Sequence, residues 1–529
     1  MKRAILTALS ISLMPVLGHG QLPPLNAAEG TWMMHHGSTS LRGLQLLRGA
    51  VTGPYVRCSY FIYHAGEGEP LIADINGDGL NEIVVAAWFD GYVLALRGTD
   101  CSLLWSSNTG GLGGVTPAVG QLNPSIPGLE IAVTRANGTL YALRGTDGAI
   151  LWSRYVGSYM SPPTIFDADG DSVGEVYVVG DNIYALRGTD GSVIWSYPAS
   201  GAFALVAIAD INNDGQYEVV TAANSGGSWR VIVLRATDGA FLWSYPVGSS
   251  GNPAIADLDN DGYKEIVVAT KDGMLYALTH NGTLYWSRNM GYGSDDPAIP
   301  SLNSPTIADL NGDGWKEIVY GQYRSLGGCS NQYVHVLRGT DGSTIWSYFG
   351  PCSGYQAHAR RIADIDNDGQ LEIILTGAAY GPAPYIRVLN GATGTVEWTY
   401  SGGYFEGLAI GDVDNDGCAE IVATPDCNVG SLVVFDSPTP VSNCGVIRYD
   451  DPVKVEEEDN FAGVNLVVSS VKGGVNVETG RKAFVEIYTT DGRKVKGLEV
   501  DRSAFVELKK GAYIFRVKGH NLYRTVIVR

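Results

Sequence analysis

The sequence lacks the features of several common functional classes. It has 36 lysines and arginines against 55 aspartates and glutamates, a net charge of −19, which argues against the basic stripes of nucleic-acid-binding proteins. No segment has a long helical periodicity. With 69 glycines and 45% hydrophobic residues, the chain instead has the composition of a large protein with many tight turns.

Long apolar runs are also missing. The longest follows Lys2 and Arg3 and ends at Leu17, which is too short to span a bilayer as a helix. A small residue, Gly20, stands at a plausible cleavage point. The pattern predicts a signal peptide over residues 1–20, an exported mature chain and no transmembrane span in that chain.

What the chain has in abundance is one nine-residue phrase, Asp-x-(Asp/Asn)-x-Asp-(Gly/Ser)-x-x-Glu. Alternating carboxylates with a glycine at the bend can wrap oxygen ligands around a hard cation, so each copy predicts a calcium loop. Seven copies predict up to seven calcium ions and hold nearly half of the acidic residues. The copies begin at Asp74, Asp167, Asp210, Asp257, Asp309, Asp364 and Asp412.

Each loop offers alternate side chains, one backbone carbonyl and a closing glutamate as ligands, and we expect the ions mainly to staple the turns. The Asp167 loop departs from the pattern, with Ser172 where glycine is usual. Besides the seven first aspartates, the predicted ligands are Asn76, Asp78, Leu80, Glu82, Asp169, Asp171, Glu175, Asn212, Asp214, Gln216, Glu218, Asp259, Asp261, Tyr263, Glu265, Asn311, Asp313, Trp315, Glu317, Asp366, Asp368, Gln370, Glu372, Asp414, Asp416, Cys418 and Glu420.

An eighth, degenerate copy carries Gln121, Asn123, Ser125 and Glu130 in the same frame. We expect this unit to fold like the others and to bind no metal, because its acidic ligands are lost. Successive copies start 43 to 55 residues apart. That period is typical of a propeller blade and not of a helical repeat.

A second phrase, close to "ALRGTDGxxxW", alternates with the first. Two apolar runs joined by Thr-Asp-Gly predict a β-hairpin, because Asp and Gly accept the positive φ angles of such turns. Each unit then supplies a four-stranded blade, and an aromatic residue once per blade is expected to pack between blades. The phrase ends at Trp105, Trp152, Trp195, Trp243, Trp286, Trp346 and Trp398.

The last unit has no copy of the second phrase. The missing piece is found near the N-terminus, where Leu46 to Tyr60 aligns with it and places Cys58 where tryptophan normally stands. A strand from this segment would complete the last blade and remove an open sheet edge. The sequence therefore predicts an all-β fold, with an eight-bladed β-propeller over residues 21–449 that is closed by its N-terminal strand.

Seven cysteines fit an oxidising compartment, with one left over. Cys329 and Cys352 lie in one predicted blade and are the disulfide candidates. The pairing of the cysteines near the closure stays open: Cys58, Cys418, Cys427 and Cys444. A catalytic thiol is disfavoured, because no cysteine has a histidine-bearing loop beside it.

The composition changes after the predicted propeller. Residues 450–462 are strongly acidic and predict a solvated linker. Residues 463–529 alternate polar and apolar positions in short runs, which predicts a small β-sandwich of about seven strands. This segment has no calcium phrase, so we expect a separate domain with a separate role.

These motifs resemble known families. The acidic loops followed by "EIVVA" resemble the FG-GAP or VCBS repeats of integrin-like propellers, and "ALRGTDGxxxW" is similar to the tryptophan-docking repeat of PQQ-like quinoprotein propellers. The C-terminal "VEIYTTDGRKVKGLEV" and "GAYIFRVKGHNLYRTVIVR" resemble the Ig-like sorting domain of the type IX secretion system. That resemblance implies recognition by the type IX machinery and release, or anchoring at the outer-membrane cell surface.

The repeated residues are structural, and no unique set looks catalytic. The leading interpretation is a non-enzymatic calcium-binding propeller that binds a surface protein or glycan. One alternative is a quinoprotein dehydrogenase, although the chain has no adjacent cysteine pair. The other is a polysaccharide lyase or hydrolase, with His358, Arg360 and Arg361 beside a calcium loop.

Overall fold

A computed structural model of the chain describes two parts. These are residues 31–446, except 32, 35, 63–67, 88–90, 111–112, 114, 159–160, 292–303, 327–328, 353–359, 378–384 and 426–429, and seven strands between residues 466 and 528. The secondary-structure elements of these residues are all β-strands, so the all-β prediction is confirmed. None of these residues forms a helix long and apolar enough to cross a membrane.

The chain divides into two compact units, Met1–Pro452 and Val453–Arg529. The dividing point falls within the acidic segment 450–462, which lies outside the described residues, as does the predicted signal peptide. The two units are therefore described separately.

In the first unit, antiparallel strands form groups of four in which neighbours in sequence pair. After β1 (Val56–Ile62), the first three groups are β2 (Leu71–Ala73), β3 (Glu82–Ala86), β4 (Tyr92–Arg97) and β5 (Leu103–Asn108); β6 (Ala118–Gly120), β7 (Glu130–Thr134), β8 (Thr139–Arg144) and β9 (Ile150–Tyr155); and β10 (Thr164–Phe166), β11 (Glu175–Val179), β12 (Ile183–Leu186) and β13 (Val193–Tyr197). The degenerate unit folds as the second group, as predicted.

The next groups repeat this order. They are β14 (Ala207–Ala209), β15 (Glu218–Ser225), β16 (Ser228–Arg235) and β17 (Phe241–Pro246); β18 (Gly251–Ala256), β19 (Glu265–Thr270), β20 (Met274–Leu278) and β21 (Leu284–Asn289); β22 (Thr306–Ala308), β23 (Glu317–Leu326), β24 (Cys329–Arg338) and β25 (Thr344–Cys352); and β26 (Arg360–Ala363), β27 (Glu372–Gly377), β28 (Tyr385–Asn390) and β29 (Val396–Tyr400). A bridge between Ala222 and Gly251 joins two of these groups into one sheet.

The last group is completed by the N-terminal strand. It contains β30 (Phe405–Gly411), β31 (Glu420–Pro425) and β32 (Gly430–Phe435), and β1 pairs antiparallel with β32. The predicted strand addition is therefore confirmed. The first strands of most neighbouring groups lie in contact, an apolar cluster joins the third group to the fourth, and β30 contacts β2, so the groups close into a ring.

Apolar residues of neighbouring groups pack against each other and form the core. One cluster joins Phe166 and Tyr177 to Val219 and Ile232 of the next group. The apolar run after each acidic loop forms the second strand and is fully buried, as at Ile83. This explains why the same short apolar run recurs after every loop.

Six of the seven repeated tryptophans link their group to the next by a hydrogen bond. Trp105 Nε1 donates to the carbonyl of Gly145 at 2.6 Å, and Trp286 Nε1 donates to that of Gly339 at 2.7 Å. Equivalent bonds join Trp152 to Gly188, Trp195 to Ala236, Trp243 to His280 and Trp346 to Gly391. The predicted packing of tryptophan between repeats is confirmed.

The turn glycine of the following hairpin provides the surface on which each indole packs. A Cβ atom on Gly342 would lie 2.8 Å from the ring of Trp286, and the φ angle of Gly342 is +69°. Both the close approach and the backbone conformation therefore require glycine at this turn.

At the closure a disulfide stands in place of this contact. Cys58 replaces the tryptophan on β1, and Cys101 replaces the turn glycine of the first group. These two residues are bonded, and a second disulfide joins Cys418 to Cys444. The side chains of Cys329 and Cys352 lie outside the described part, so their pairing stays a prediction.

The described residues of the segment 33–51, here called the axial segment, run along the first strands. Backbone carbonyls of Met33, Thr39, Ser40, Arg42 and Gly43 accept hydrogen bonds of 2.8–3.0 Å from Val119, Ile208, Ile255, Ile307 and Ile362, respectively. These donors belong to or adjoin the first strands of five different groups. Because those strands succeed one another around the ring, the axial segment occupies its centre.

The second unit contains two sheets. Its strands are β33 (Leu466–Val471), β34 (Gly474–Thr479), β35 (Ala483–Thr489), β36 (Lys494–Val500), β37 (Ser503–Glu507), β38 (Gly511–Val517) and β39 (Tyr523–Val528). The sheet orders are β33-β34-β37 and β36-β35-β38-β39. Residues of β33 contact β39, and Val485 and Ile487 are fully buried.

The tryptophan hydrogen bonds make a testable contribution to stability. We expect Trp286→Phe to lower the free energy of unfolding by about 1–2 kcal/mol more than Trp398→Phe, because it leaves the Gly339 carbonyl without its donor. Both indoles are half-buried, and Trp398 Nε1 has no hydrogen bond among the described residues. Denaturant unfolding measures the difference, and equal losses would contradict the assigned role.

The disulfide at the closure can be tested by restoring the repeat. Replacing Cys58 and Cys101 together by serine should lower the free energy of unfolding by about 2–4 kcal/mol. The pair Cys58→Trp and Cys101→Gly should recover part of that loss, because it recreates the contact found between the other groups. A larger loss in this second variant would show that the closure differs from the other junctions.

Candidate metal loops

Each acidic loop connects the first strand of a group to the second. The closing glutamate is the first residue of that second strand, as with Glu82 in β3, Glu265 in β19 and Glu420 in β31. These three side chains are at most 2% exposed. The fold thus places one carboxylate of every loop inside the protein, at the same end of every group.

Hydrogen bonds to backbone amides hold the loop carboxylates in place. In the first loop, Asp74 Oδ1 accepts from Gly77 N at 2.7 Å, and Asp74 Oδ2 accepts from Gly79 N at 2.9 Å. Glu82 Oε2 accepts from Ile75 N at 3.1 Å. The other six closing glutamates accept the equivalent bond at 2.7–2.9 Å. One oxygen of each glutamate is therefore anchored, and the other can face a ligand.

Four loops bring carboxylate oxygens within 4.8 Å of one another, a spacing that could hold a metal ion. The sets are Asp167, Asp169, Asp171 and Glu175; Asp257, Asp259 and Glu265; Asp364, Asp366 and Glu372; and Asp412, Asp414 and Glu420. All four have aspartate at the third position. Asp261, Asp368 and Asp416 lie outside the sets, and each accepts the amide two residues onward at 2.7–2.8 Å.

The other three loops have asparagine at the third position. Asn76 Nδ2 donates to Glu82 Oε1 at 2.9 Å, and Asn311 Nδ2 donates to Glu317 Oε1 at 3.2 Å. A longer contact of 3.5 Å joins Asn212 to Glu218. An amide already partners the glutamate in these loops, and they offer one charge less. We therefore expect them to bind a cation more weakly than the four aspartate loops.

Several acidic oxygens are buried without a partner. Asp364 Oδ1, Glu372 Oε1 and Glu420 Oε1 have no hydrogen bond, and their side chains are 0% exposed. A buried carboxylate oxygen without a partner is costly. A cation among these oxygens would remove that cost, so the residues present fit a bound metal ion.

The same burial raises the pKa of every closing glutamate. Desolvation, with smaller effects of nearby aspartates, raises the pKa to about 8 for Glu265 and to about 10 for Glu372. The pKa of Glu420 is raised well above its usual value. The pKa is raised to about 7 for the other four closing glutamates, which are Glu82, Glu175, Glu218 and Glu317.

Basic residues beside the loops could not be assigned from the sequence. Arg48 of the axial segment lies 3.1 Å from Asp364 Oδ2, and Arg57 of β1 lies 2.7 Å from Asp414 Oδ2. Arg48 leaves Asp364 Oδ1 unpartnered. No local sequence signal joins residues more than 300 positions apart, so these contacts depend on the ring closure.

The degenerate loop keeps the backbone role of its glutamate. Glu130 Oε2 accepts from Leu122 N at 2.7 Å and from Asn123 N at 3.0 Å. No second acid is present among Gln121, Asn123 and Ser125. The fold of this loop is thus retained without the acidic ligands, and its lack of metal stays a prediction.

Comparison with known proteins supports the repeat type. Residues 89–348 match the family described as outer membrane protein assembly factor BamB. This stretch includes six of the seven tryptophan phrases whole. Among curated proteins, no match was found.

Solved dehydrogenase structures share the fold. The quinohemoprotein alcohol dehydrogenase ADHIIG of Pseudomonas putida HK5 is 11% identical, with a TM-score of 0.58 over 79% of this chain and 84% of that chain. The enzyme of Comamonas testosteroni is 12% identical, with a TM-score of 0.56 over 79% and 82%. A europium-containing methanol dehydrogenase is 12% identical, with a TM-score of 0.57 over 78% and 99%.

The first unit has the β-propeller fold, and residues 89–348 within it match the PQQ-like repeat. The four-stranded groups are its blades, and the propeller and the PQQ-like repeat predicted from the sequence are confirmed. At such low identity the likeness concerns the fold alone. The FG-GAP or VCBS assignment and the sorting domain stay predictions.

Two candidate catalytic arginines lie inside the propeller. Arg360 and Arg361 are 3% and 1% exposed and begin β26, whereas the calcium loop follows the other end of that strand. Arg361 forms an ion pair with Glu69 and donates from Nε to the carbonyl of Leu408. These contacts join the group of Arg361 to the last group, through Leu408, and to the segment that precedes β2 of the first group, through Glu69. His358 lies outside the described residues.

The raised pKa values predict how the metal-free protein responds to pH. Its folded state holds protons on the closing glutamates up to about pH 7, whereas the unfolded chain releases them near pH 4.3. The free energy of unfolding of chelator-treated protein should therefore fall as the pH rises from about 5 to about 8. Urea unfolding at about pH 5 and about pH 8 tests this prediction, and greater stability at the higher pH would contradict it.

Proposed function

We propose that this chain is an exported, calcium-stabilised, eight-bladed β-propeller that acts as a non-enzymatic binding or adhesion module. The observation that carries the metal assignment is the set of buried, unpartnered oxygens on Asp364, Glu372 and Glu420. Carboxylate and backbone carbonyl oxygens are the ligands of a hard cation, and loops of this composition suit calcium. Up to seven ions would be bound, with the four aspartate loops filled first.

The count of eight blades belongs to this proposal. Eight groups of four strands occur among the described residues of the first unit, and β1 supplies the final strand. A calcium ion in each intact loop would staple the first strand of a blade to the second. It would also neutralise part of the net charge of −19.

The second unit is proposed to be a sandwich-like sorting domain. Its two sheets of three and four strands support this architecture, and the sorting role rests on the resemblance of its sequence. With the predicted signal peptide, this implies passage through the type IX secretion machinery to the cell surface or the medium. The partner there would be a surface protein or a glycan.

The non-enzymatic assignment is supported by the centre of the propeller. The axial segment is bonded there to five blades, and the arginines that could have served an acidic glycan are buried in contacts between blades. Binding would then use the outer surface of the propeller.

A calcium titration of the chelator-treated full chain tests the metal assignment. Thermal unfolding should shift upward with added calcium, and elemental analysis should show several bound ions per chain. Each site would contribute about 2.7 kcal/mol when calcium exceeds its dissociation constant a hundredfold. Glu372→Gln should lose one ion, whereas Glu130→Gln in the degenerate loop should lose none. Absence of bound calcium in the wild type would refute the assignment.

Binding itself needs a separate measurement. Calcium-loaded protein should bind isolated cell-surface glycans or surface proteins, and chelation should weaken that binding through loss of the fold. If calcium stabilises the protein but no such ligand is retained on it, the scaffold assignment stands and the binding function fails.

A quinoprotein dehydrogenase is the second candidate, favoured by the fold shared with three dehydrogenases. A planar cofactor at the centre of the ring would compete with the axial segment for space. Incubation with pyrroloquinoline quinone and calcium, followed by dye-linked alcohol oxidation, tests it. If that treatment produces neither quinone absorbance nor activity, this candidate is refuted.

A further inference from the structure

Four of the intact loops have asparagine at their fourth position, next to the ligand positions. Asn213, Asn260, Asn367 and Asn415 have φ angles between +56° and +64°, a region in which asparagine is tolerated better than most residues. The other three intact loops have glycine at this position. The backbone turn is therefore the same in both kinds of loop, and the asparagine side chain is an addition to it.

Three of these side chains reach the loop of the next blade. Asn260 Nδ2 donates to the carbonyl of Gly314 at 2.8 Å, and Asn213 Nδ2 makes the same contact with the carbonyl of Gly262. Asn415 Nδ2 donates to the carbonyl of Gly79 at 3.1 Å. The acceptor is in every case the sixth residue of the neighbouring loop, so the geometry is repeated.

The same glycines hold the first ligand of their own loops. Gly262 N donates to Asp257 Oδ2 at 3.0 Å, Gly314 N donates to Asp309 Oδ2 at 2.8 Å, and Gly79 N donates to Asp74 Oδ2 at 2.9 Å. The asparagine of one loop therefore binds the residue that positions the first carboxylate of the next loop.

We propose that Asn213, Asn260 and Asn415 couple calcium binding in neighbouring loops, so that an ion in one loop raises the affinity of the next. This inference rests on the proposed calcium binding. An ion orders its own loop and so fixes the position of the asparagine side chain. The asparagine then orders the glycine to which it is bonded in the neighbouring loop. Such coupling is reciprocal by thermodynamic necessity.

The bridges define two coupled groups of sites. The loops of Asp210, Asp257 and Asp309 form one run, and those of Asp412 and Asp74 form a pair. The loops of Asp167 and Asp364 have no such bridge among the described contacts, so we expect them to bind independently.

The coupled pair lies across the ring closure. Asn81 of the first blade makes two bonds to the last blade. Its backbone N donates to Asn415 Oδ1 at 2.8 Å, and its side-chain Nδ2 donates to the carbonyl of Asp412 at 2.6 Å. Calcium in these two loops would therefore hold the last blade to the first at the junction that Cys58 and Cys101 also join.

The chain itself supplies the substitution for the test. Glycine is the natural residue at this position in three loops and accepts the same φ angle, so the triple variant Asn213→Gly, Asn260→Gly and Asn415→Gly should keep the backbone. Asn367→Gly is the matched control. The side chain of Asn367 accepts from Arg48 at 3.3 Å and has no bond to a loop glycine among the described residues.

Calcium isotherms of the full-length, chelator-treated proteins give the readout, with circular dichroism as the check of folding. The wild type should bind with a Hill coefficient above one. In the triple variant the coefficient should fall toward one and the apparent affinity should weaken by about fivefold or more, with the same number of ions at saturation. Asn367→Gly should match the wild type in all three respects.

The possible failures are distinguishable. A folded triple variant that binds with the steepness and affinity of the wild type would overturn the coupling and leave calcium binding intact. Equal weakening by Asn367→Gly would also overturn it, because the asparagine would then act within its own loop. If the wild type binds no calcium, the proposed function itself fails.

Discussion

The ring must close between its first and last blades, and the pairing of β1 with β32 is the interaction on which the rest depends. Without it the last sheet would have an open edge, and the first strands could not form the closed circle that surrounds the axial segment. Residues 33–51 and β1 are adjacent in the chain, so the segment that fills the centre is continuous with the strand that closes the ring.

Six junctions use a tryptophan against a turn glycine, and the closure uses Cys58 and Cys101 in the same two positions. The two solutions have different physical consequences. An indole contact between consecutive blades can re-form whenever both blades are folded. Cys58 and Cys101 are 43 residues apart, a separation similar to that of the tryptophan contacts, so the loop-closure entropy of the ring opposes the pairing of β1 with β32 and not this contact. The covalent bond instead holds β1 beside the first blade.

The repeated parts of this protein could be predicted because they are local. The acidic phrase, the Thr-Asp-Gly hairpin and the terminal tryptophan each depend on spacing within a few residues, and the placement of Cys58 in the tryptophan position located the closing strand. Contacts made by Arg48, Arg361 and Asn415 could not be predicted, because each joins parts of the chain that only the closed ring brings together. The partner of Cys58 stayed open, although Cys101 stands one repeat later in a glycine position, and that spacing could have identified it.

The position of the acidic loops has a consequence for function. They lie at the same end of every blade, after the first strand, whereas Arg360 and Arg361 begin the first strand of their blade and Glu69 precedes that of the first blade. Metal binding and the buried ion pair therefore belong to opposite ends of the ring. A partner at that other end would depend on calcium through the stability of the blades and not through contact with the metal.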